Sequence, residues 1–377
     1  MKIIYVTVLI GLLCTLCCCK NKGLYSPDEL KIVSIPEIKD TLRANKIQDS
    51  DLFPQCVLCA DSYMFVQSRS NESLIKVLDA HNDSLISAFG TIGQGHNELL
   101  RPFYACYFQK NVKGDLCLLV PTSDYQTYVI NVYESLNKGI CSIDTIYKDS
   151  DKEPMARTFF LDGGKKKLSH KGFWFDGDAR DNENIRTPEL NVIADGNVKR
   201  MSAFPKTMKA DKNLVILMYR SVSTLNPAGT KLVEVYNAHN TMNIYDVISG
   251  KVFGVRFGEE ECLDEIESEY SGFTFHEAIK KLKIYNLVCC ASNDYIFVTH
   301  ESKLTIAESD DMEKYSPSLL VFDWNGNCLA NFALKENLVS IAYNDVCKKL
   351  YGLDCKDNLY SYEIGELLSL YEKTNRD

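Results

Sequence analysis

The side chains able to do chemistry in this 377-residue chain are dispersed. Six histidines stand at positions 81, 96, 170, 239, 276 and 300. None falls in a His-x-His or His-Glu-x-x-His pair, the spacings that aim two imidazoles at one metal ion, and none has a local partner that marks a catalytic triad. Cys56 and Cys59 have Cys-x-x-Cys spacing, yet no second pair follows at ligand distance, so a tetrahedral zinc would lack half its ligands. The apolar runs at 56–59, 104–107, 159–161, 287–290 and 338–342 read as innermost strands and carry no acidic residue. Calcium takes about six or more oxygen ligands, chiefly carboxylates, so such strands could not hold it for metal-assisted hydrolysis. The expectation from these residues is no metal, no cofactor and no catalytic group.

What must position any site is a repeated strand pattern. Segments rich in aromatic and branched residues at 63–67, 116–120, 172–175, 214–219, 295–299 and 350–353 read as the second strands of six similar units. Hairpins follow at 74–90 around 79–83, at 128–146 around Asn137-Lys138-Gly139, and at 190–204 around Asp195-Gly196-Asn197. Two more lie at 243–257 around Ser249-Gly250-Lys251 and at 319–334 around 323–327. Turns of this composition supply positive φ at a hairpin tip without steric cost. The sixth unit offers strands at 336–344, 349–355 and 359–364 but no fourth. An unpaired sheet edge is costly, and strand-like segments at 30–35 and 41–47 lie at the opposite terminus, so one of them is expected to close the ring. The fold class is therefore all-β, a six-bladed β-propeller with an N-terminal strand closing the last blade and a short helical insertion. A two-sheet sandwich is the alternative, but it gives no reason for six copies. The insertion is placed at 259–283, where Leu263, Ile266, Tyr270, Ala278, Ile279 and Leu282 recur at helical spacing around a Ser271-Gly272 break. The acidic stretch 307–317 reads as a surface loop.

The N-terminus sets the compartment. Lys2 precedes an apolar run at 3–13, too short to span a bilayer, which reads as a secretory h-region. Leu16-Cys17-Cys18-Cys19 then resembles a bacterial lipobox, whose cysteine becomes diacylated and N-terminal after cleavage. Cys19 places leucine at −3 and starts a polar mature chain at Lys20-Asn21-Lys22, whereas Cys18 and Cys17 place it at −2 and −1. Acyl chains hold a domain at a membrane without any spanning helix. The expected division is a signal peptide at 1–18, a tether at 19–28, the propeller at 29–366 and a C-terminal tail at 367–377. Lys20-Asn21-Lys22 lacks the acidic run that resembles a surface-export signal, so the expected location is the cell envelope, on the periplasmic side of an outer membrane, with surface exposure as the alternative.

Composition excludes other partners. With 42 basic and 51 acidic residues the net charge is −9, so there is no basic footprint for nucleic acid. Lys165-Lys166-Lys167 follows Asp162-Gly163-Gly164 and reads as a solvated hairpin turn. Eleven of the fifteen cysteines lie beyond the lipobox, mostly in apolar runs where a thiol acts as a small hydrophobe. An oxidising compartment selects against so many reduced thiols, which points to an anaerobic source.

The most specific local motif is Gly90-Thr91-Ile92-Gly93-Gln94-Gly95-His96-Asn97-Glu98-Leu99-Leu100-Arg101-Pro102. No helix follows to offer its N-terminus to an anion, so it is not a phosphate cradle. It resembles the Gly-x-Gly-x-Gly-Pro-Gly-Glu linker that follows the first blade in TolB-like six-bladed propeller lipoproteins of gut anaerobes, with His96-Asn97 where Pro-Gly is usual. The resemblance extends over most of the mature chain through the lipobox, the hairpin rhythm and the incomplete last blade. In such blades the connections from second to third strand, and from fourth strand to the next blade, open on one face. By this fold analogy Arg69, Asp124, Arg180, Arg220, His300 and Glu301 gather with His96, Glu98 and Arg101. The expected function is a non-catalytic lipoprotein that binds an unknown protein or glycan partner through His96, Glu98, Arg101, Arg220, His300 and Glu301, over a channel that serves as structural core. The alternative is a lactonase-like hydrolase or lyase with its catalytic groups on the same loops.

Lipidation gives the first test. Metabolic labelling with a fatty-acid analogue should mark the wild-type chain and a Cys14→Ala variant equally and fail to mark Cys19→Ala. Normal labelling of Cys19→Ala would move the acylated position to Cys18 or Cys17.

Overall fold

The computed structural model describes residues 25–48, 52–70, 73–95, 97–99, 106–122, 125–148, 156–172, 174–175, 185–208, 217–258, 272–301, 305–308 and 317–374. Six antiparallel sheets stand around a common axis as blades. From axis to rim, blade 1 is Pro54–Ala60, Tyr63–Ser68, Ile75–Asp79 and Leu85–Phe89. Blade 2 is Tyr107–Lys110, Leu116–Pro121, Gln126–Asn131 and Ile143–Lys148. Blade 3 is Ala156–Leu161, Lys166–Lys171, Glu189–Ala194 and Asn197–Met201. Blade 4 is Ser221–Leu225, Lys231–Tyr236, Thr241–Asp246 and Lys251–Phe257. Blade 5 is Asn286–Ala291, Tyr295–His300, Ser318–Asp323 and Cys328–Ala333. Blade 6 is Leu338–Asn344, Lys349–Asp354 and Leu359–Glu363, completed by Ala44–Ile47.

Stacking explains the composition of each layer. A second strand has a neighbouring blade on both faces, so Tyr295–His300 and Lys349–Asp354 are buried along their whole length and read as near-continuous apolar runs. Rim strands meet solvent, and Asn197–Met201 buries Met201 alone. The rim hairpins of blades 3, 4 and 5 turn on Gly196, Gly250 and Gly326 in the left-handed region, where a side chain would be strained. At Gly326 packing adds a second constraint, because a Cβ there would lie 2.5 Å from Val255 Cγ2 on the rim of blade 4.

The N-terminal segment is a belt. Glu29–Val33 pairs in parallel with Lys251–Phe257, Asp40–Thr41 pairs in parallel with Cys328–Ala333, and Ala44–Ile47 pairs antiparallel with Leu359–Glu363. Both candidate segments are thus used, the first to cover the edge of blade 4 and the second to close the ring. Tyr25 begins the belt, its ring against Phe204 and its hydroxyl donating to Asn243 Oδ1 at 2.8 Å.

Three short helices are complete within the described residues. Helix α1, Val132–Lys138, occupies the position expected to be a hairpin turn. Asn131 caps it by accepting from Glu134 N–H, Lys138 pairs with Glu134 at 2.7 Å, and Gly139 ends it in the left-handed conformation, so the Asn-Lys-Gly sequence is a helix terminus. Helix α2, Phe275–Lys281, lies inside the expected insertion and starts with a capping box between Thr274 and Glu277; residues 259–271 are outside the described set. Helix α3, Gly365–Thr374, replaces the expected tail, burying Leu368 among Phe332, Leu334 and Ile364 while Tyr371 donates to Asp40.

Two second strands differ from the sequence reading. That of blade 3 is Lys166–Lys171, which begins inside the lysine run expected to be a turn, and that of blade 4 is Lys231–Tyr236. Trp174–Phe175 instead joins Ile185–Arg186 and Thr207–Met208 in a small separate sheet, and Leu217 and Met218 are helical. Aromatic content misled the reading, while the polar sequence Lys-Lys-Leu-Ser-His-Lys concealed a strand whose Ser169 and His170 are buried between blades.

Polar side chains lock neighbouring blades together. At the junction of blades 4 and 5, Asn286 Nδ2 donates to the carbonyls of Tyr236 at 2.8 Å and His239 at 3.2 Å. Asn286 Oδ1 lies 3.1 Å from His300 Nδ1. The His239 ring stacks on Tyr236 with centroids 4.6 Å apart, fully buried, and neither ring nitrogen has a hydrogen-bond partner among the described residues. Burial pushes its pKa down to about 3 despite the Glu234 charge, and burial takes His300 to about 4 against the opposing effect of the Tyr285 backbone.

Two outcomes follow for stability. A chain starting at Pro36 keeps the closing strand and should fold with reduced stability, whereas one starting at Phe53 exposes three blade edges and should lose more than ~4 kcal/mol or fail to fold. Equal melting of both truncations and the mature chain would exclude belt closure. With pH the sign is fixed: His239 is neutral when folded, so the unfolded chain binds the extra proton between about 6.5 and about 3. The stability it supports is whole above about pH 6.5 and falls as the pH drops, by roughly 2 kcal/mol at about pH 5. His239→Phe, which retains a ring against Tyr236, should flatten the decline in melting temperature over that interval; an unchanged slope would assign the decline to other groups.

Candidate functional site at the channel mouth and the long-loop face

The two faces of the ring are unlike. One carries the connections 90–106, 172–188, 202–220, 258–285 and 301–317, of 17 to 28 residues each. The other carries the inner hairpins, of two to five residues, and nothing between strands longer than 132–142. Function tends to reside on long connections held by a rigid scaffold.

Of the expected site residues, Arg220, His300 and Glu301 are brought together above blades 4 and 5. Backbone hydrogen bonds link them, from Glu301 N to Tyr285 O at 2.7 Å, from Tyr285 N to Asn237 O at 2.7 Å and from Asn237 N to Arg220 O at 2.8 Å. Arg220 is exposed, while His300 and Glu301 are buried at 7% and 4% exposure. His300 acts inside the blade junction, and the exposed group in this trio is Arg220. Glu98 lies elsewhere, between blades 1 and 2. Its carboxylate accepts from Gly95 N–H at 2.6 Å, and a Cβ on Gly93 would overlap it, so Glu98 ties down the glycine-rich turn. Arg69 is held by Asp357 in a two-bond pair at 2.9 and 3.0 Å. His96, Arg101, Asp124, Arg180 and Cys19 lie outside the described residues.

The axis is an open channel of about 1190 Å³, the channel that the sequence reading expected to serve as structural core. Every blade lines it, through Val57, Cys106, Arg157, Ser223, Cys289 and Ile341 among others. The six inner strands contain no aspartate, glutamate or histidine. No group of three or more metal-ligating side chains converges among the described residues.

Sequence reasoning missed the polar joint at the upper channel between blades 3 and 4. Arg157 stands opposite His170 in the blade 3 ladder, and Ser223 stands opposite Glu234 in blade 4. Glu234 is fully buried and accepts from Ser221 Oγ at 3.0 Å, Tyr236 OH at 2.9 Å, Tyr245 OH at 2.7 Å and Asn243 Nδ2 at 3.2 Å. His170 Nε2 lies 3.2 Å from the same carboxylate without hydrogen-bond alignment, and its Nδ1 is 3.4 Å from Ser223 Oγ. Burial pushes the Glu234 carboxyl upward, but His170 and these hydrogen bonds outweigh it and hold the group below the usual glutamate value. Arg157 escaped because the blade 3 inner strand was read from residue 159, and Ser223 because the inner strand of blade 4 was not identified. A usable signal existed: Glu234 interrupts the apolar run Leu232-Val233-Glu234-Val235-Tyr236, where an acid must have buried partners.

Serine, histidine and glutamate in sequence suggest a nucleophile relay, but the distances do not favour one. A base within reach of its serine sits at about 2.6–3.2 Å, and here the carboxylate is saturated by four further donors. The cluster fixes blade 3 to blade 4 and shapes the channel wall.

No protein-family model matches the chain, and no curated protein matches it. Among solved structures it is similar to a Bacteroides fragilis protein assigned as exported, at 11% identity and a TM-score of 0.51, aligned over 88% of this chain and 99% of that one. It is also similar to a DUF4221 family member from Bacteroides vulgatus, at 14% identity and a TM-score of 0.50, over 91% of this chain and 96% of that one. At these identities the similarity is one of fold, and it extends over nearly the whole of each chain.

Proposed function

We propose that this chain is a TolB-like, lipid-anchored envelope protein that binds a protein or glycan partner through its long-loop face, without catalysing a reaction. The observation that carries the reading is the asymmetry between the faces, with connections of 17 to 28 residues on one and short inner hairpins on the other. Export is supported by the lipobox-like Leu16-Cys17-Cys18-Cys19 and by the similarity to a protein assigned as exported. The glycine-rich turn held by Glu98 supports the TolB-like reading. Arg220, exposed above blades 4 and 5, is a contact residue on this face. His300 and Glu301 act beneath it as positioning residues.

The second reading is a hydrolase acting through Ser223, His170 and Glu234, favoured by their contiguity alone. Capture of a partner from envelope extract and shed glycans by the immobilised mature domain separates the two. The partner so identified should bind Arg220→Ala more weakly, while stability changes by no more than ~0.5 kcal/mol because no core cavity opens. Unchanged affinity in that variant would move the contact to another surface. Ester or lactone hydrolysis by the wild type that is lost in Ser223→Ala would replace the binding reading with the enzyme.

A further inference from the structure

The belt begins at a fixed point. Tyr25 lies between the rims of blades 3 and 4, its ring against Phe204 and its hydroxyl bonded to Asn243, while Ser26 N–H donates to the Ala203 carbonyl at 2.7 Å and Asp28 N–H to the Val252 carbonyl at 3.0 Å. Groups of both blades thus hold the first belt residues in place, and they do not peel away to lengthen what precedes them. Five residues, Lys20 to Leu24, separate Tyr25 from Cys19. At about 3.5 Å per residue this leash reaches no more than about 21 Å in any conformation. A folded body of this length is roughly 50 Å across, so an acylated Cys19 brings only the part of the ring near blades 3 and 4 to a lipid surface.

Apolar side chains are exposed at that part of the ring. Successive residues of a strand point to opposite sides of the sheet. Lys31 Nζ donates to the Asn325 carbonyl at 3.1 Å and to Asn327 Oδ1, and Val33 packs against the cluster of Val255, Phe257 and Phe322, so both point toward blade 5. Leu30 and Ile32 therefore point the other way. Leu30 pairs with Gly254, and a Cβ on Gly254 would overlap Tyr25 and Pro27, so the two apolar side chains share the face of the sheet on which the belt starts. They are 50% and 66% exposed, on an edge strand where folded proteins usually place charge. Ile248, 75% exposed, stands on the hairpin that leads into Lys251–Phe257. The cations suit anionic headgroups: Lys20 and Lys22 are on the leash, and the exposed Lys199 donates to the Ser249 carbonyl, next to Ile248, at 3.1 Å.

We propose that the rim of blade 4 is a membrane-docking surface, with Leu30, Ile32 and Ile248 set into the headgroup boundary of an anionic bilayer. The proposal rests on the lipid anchor of the preceding reading. The anchor holds the chain at the membrane and the rim contact fixes its orientation, so that the ring stands on edge and both the long-loop face and the opposite face stay open to partners. The occupant is lipid because the leash keeps this rim within reach of the bilayer in every anchored molecule, whereas a protein would have to enter that gap.

Tryptophan quenching in vesicles tests the contact. The acylated full chain is reconstituted in phosphatidylethanolamine and phosphatidylglycerol whose acyl chains are brominated, which quenches tryptophan on contact. The signal of Ile32→Trp, after subtraction of the wild type with its Trp174 and Trp324, should be quenched at least roughly threefold more than that of Ile86→Trp, a similarly exposed rim position on blade 1 across the ring. Adding Leu30→Asp and Ile248→Asp should remove that quenching while flotation with the vesicles and the melting temperature stay unchanged, since both side chains are exposed. Leu30→Trp repeats the measurement if Ile32→Trp does not fold. A wild type that does not float with the vesicles lacks the anchor, and the proposal falls with it. Flotation with equal quenching at positions 32 and 86, or quenching undiminished by the two aspartates, leaves the anchor in place and overturns the docking. A blue shift of Ile32→Trp that grows with protein density and ignores bromination would give the rim to a second copy and overturn it as well.

Discussion

Every feature of this molecule depends on closing a ring of sheets whose last member cannot be completed locally. Blade 6 receives three strands from the C-terminal end of the chain and its rim strand from residues 44–47, so closure joins segments more than three hundred residues apart. Until that pairing forms, Leu359–Glu363 presents an open edge, and neither neighbouring blade is packed on both faces. The parallel pairings of Glu29–Val33 and Asp40–Thr41 turn the same segment into a belt over three consecutive blades. Closure is thus distributed, and Tyr25 extends it inward by donating to Asn243, a member of the buried Glu234 cluster.

The polar residues between blades are the second layer of this constraint. Apolar side chains alone fix separation more than register, whereas hydrogen-bonded groups accept few alternative geometries. Asn286 does this between blades 4 and 5, as Asn344 does between blades 6 and 1 by donating to Asp61 and Tyr63 carbonyls. His239 shows the limit of the arrangement: its carbonyl is used and its ring is stacked, but its imidazole nitrogens contribute no hydrogen bond among the described residues. A neutral histidine in such a place makes the ring acid-sensitive, because only the unfolded chain takes up the proton easily.

Much of the fold was legible because rim hairpins turn on Asp-Gly, Ser-Gly and Asn-Gly steps, which have few uses other than positive φ at a tip. The missing fourth strand after Ile364 was likewise legible, since an edge has to be paired. The inner edge of blades 3 and 4 was not. Buried polar strands such as Lys166–Lys171 lack the alternation that marks a half-exposed strand, because both of their faces are covered and a few polar groups find partners there. Fold analogy placed Arg220, His300 and Glu301 on one face, and they do share a junction. It could not tell that the histidine and glutamate are buried, since burial there is set by residues 237–240 and 285, far away in sequence.

Glu234, fully buried, and Arg157, half-buried on the channel wall, meet the cost of leaving water in different ways. The glutamate accepts from four donors of its own blade and lies 3.2 Å from His170 of the next, so its desolvation is offset within the protein and it needs nothing further. The arginine stands one ladder position from the same cluster with one carbonyl and one aromatic face, beside neutral thiols and open volume. Protein sequences readily supply acids, yet all six inner strands lack one. A carboxylate on any of them facing Arg157 would relieve the cost of partly desolvating it. An uncompensated charge is what a rigid, closed ring can maintain and a looser fold could not, because the strand that carries it has no alternative position to relax into.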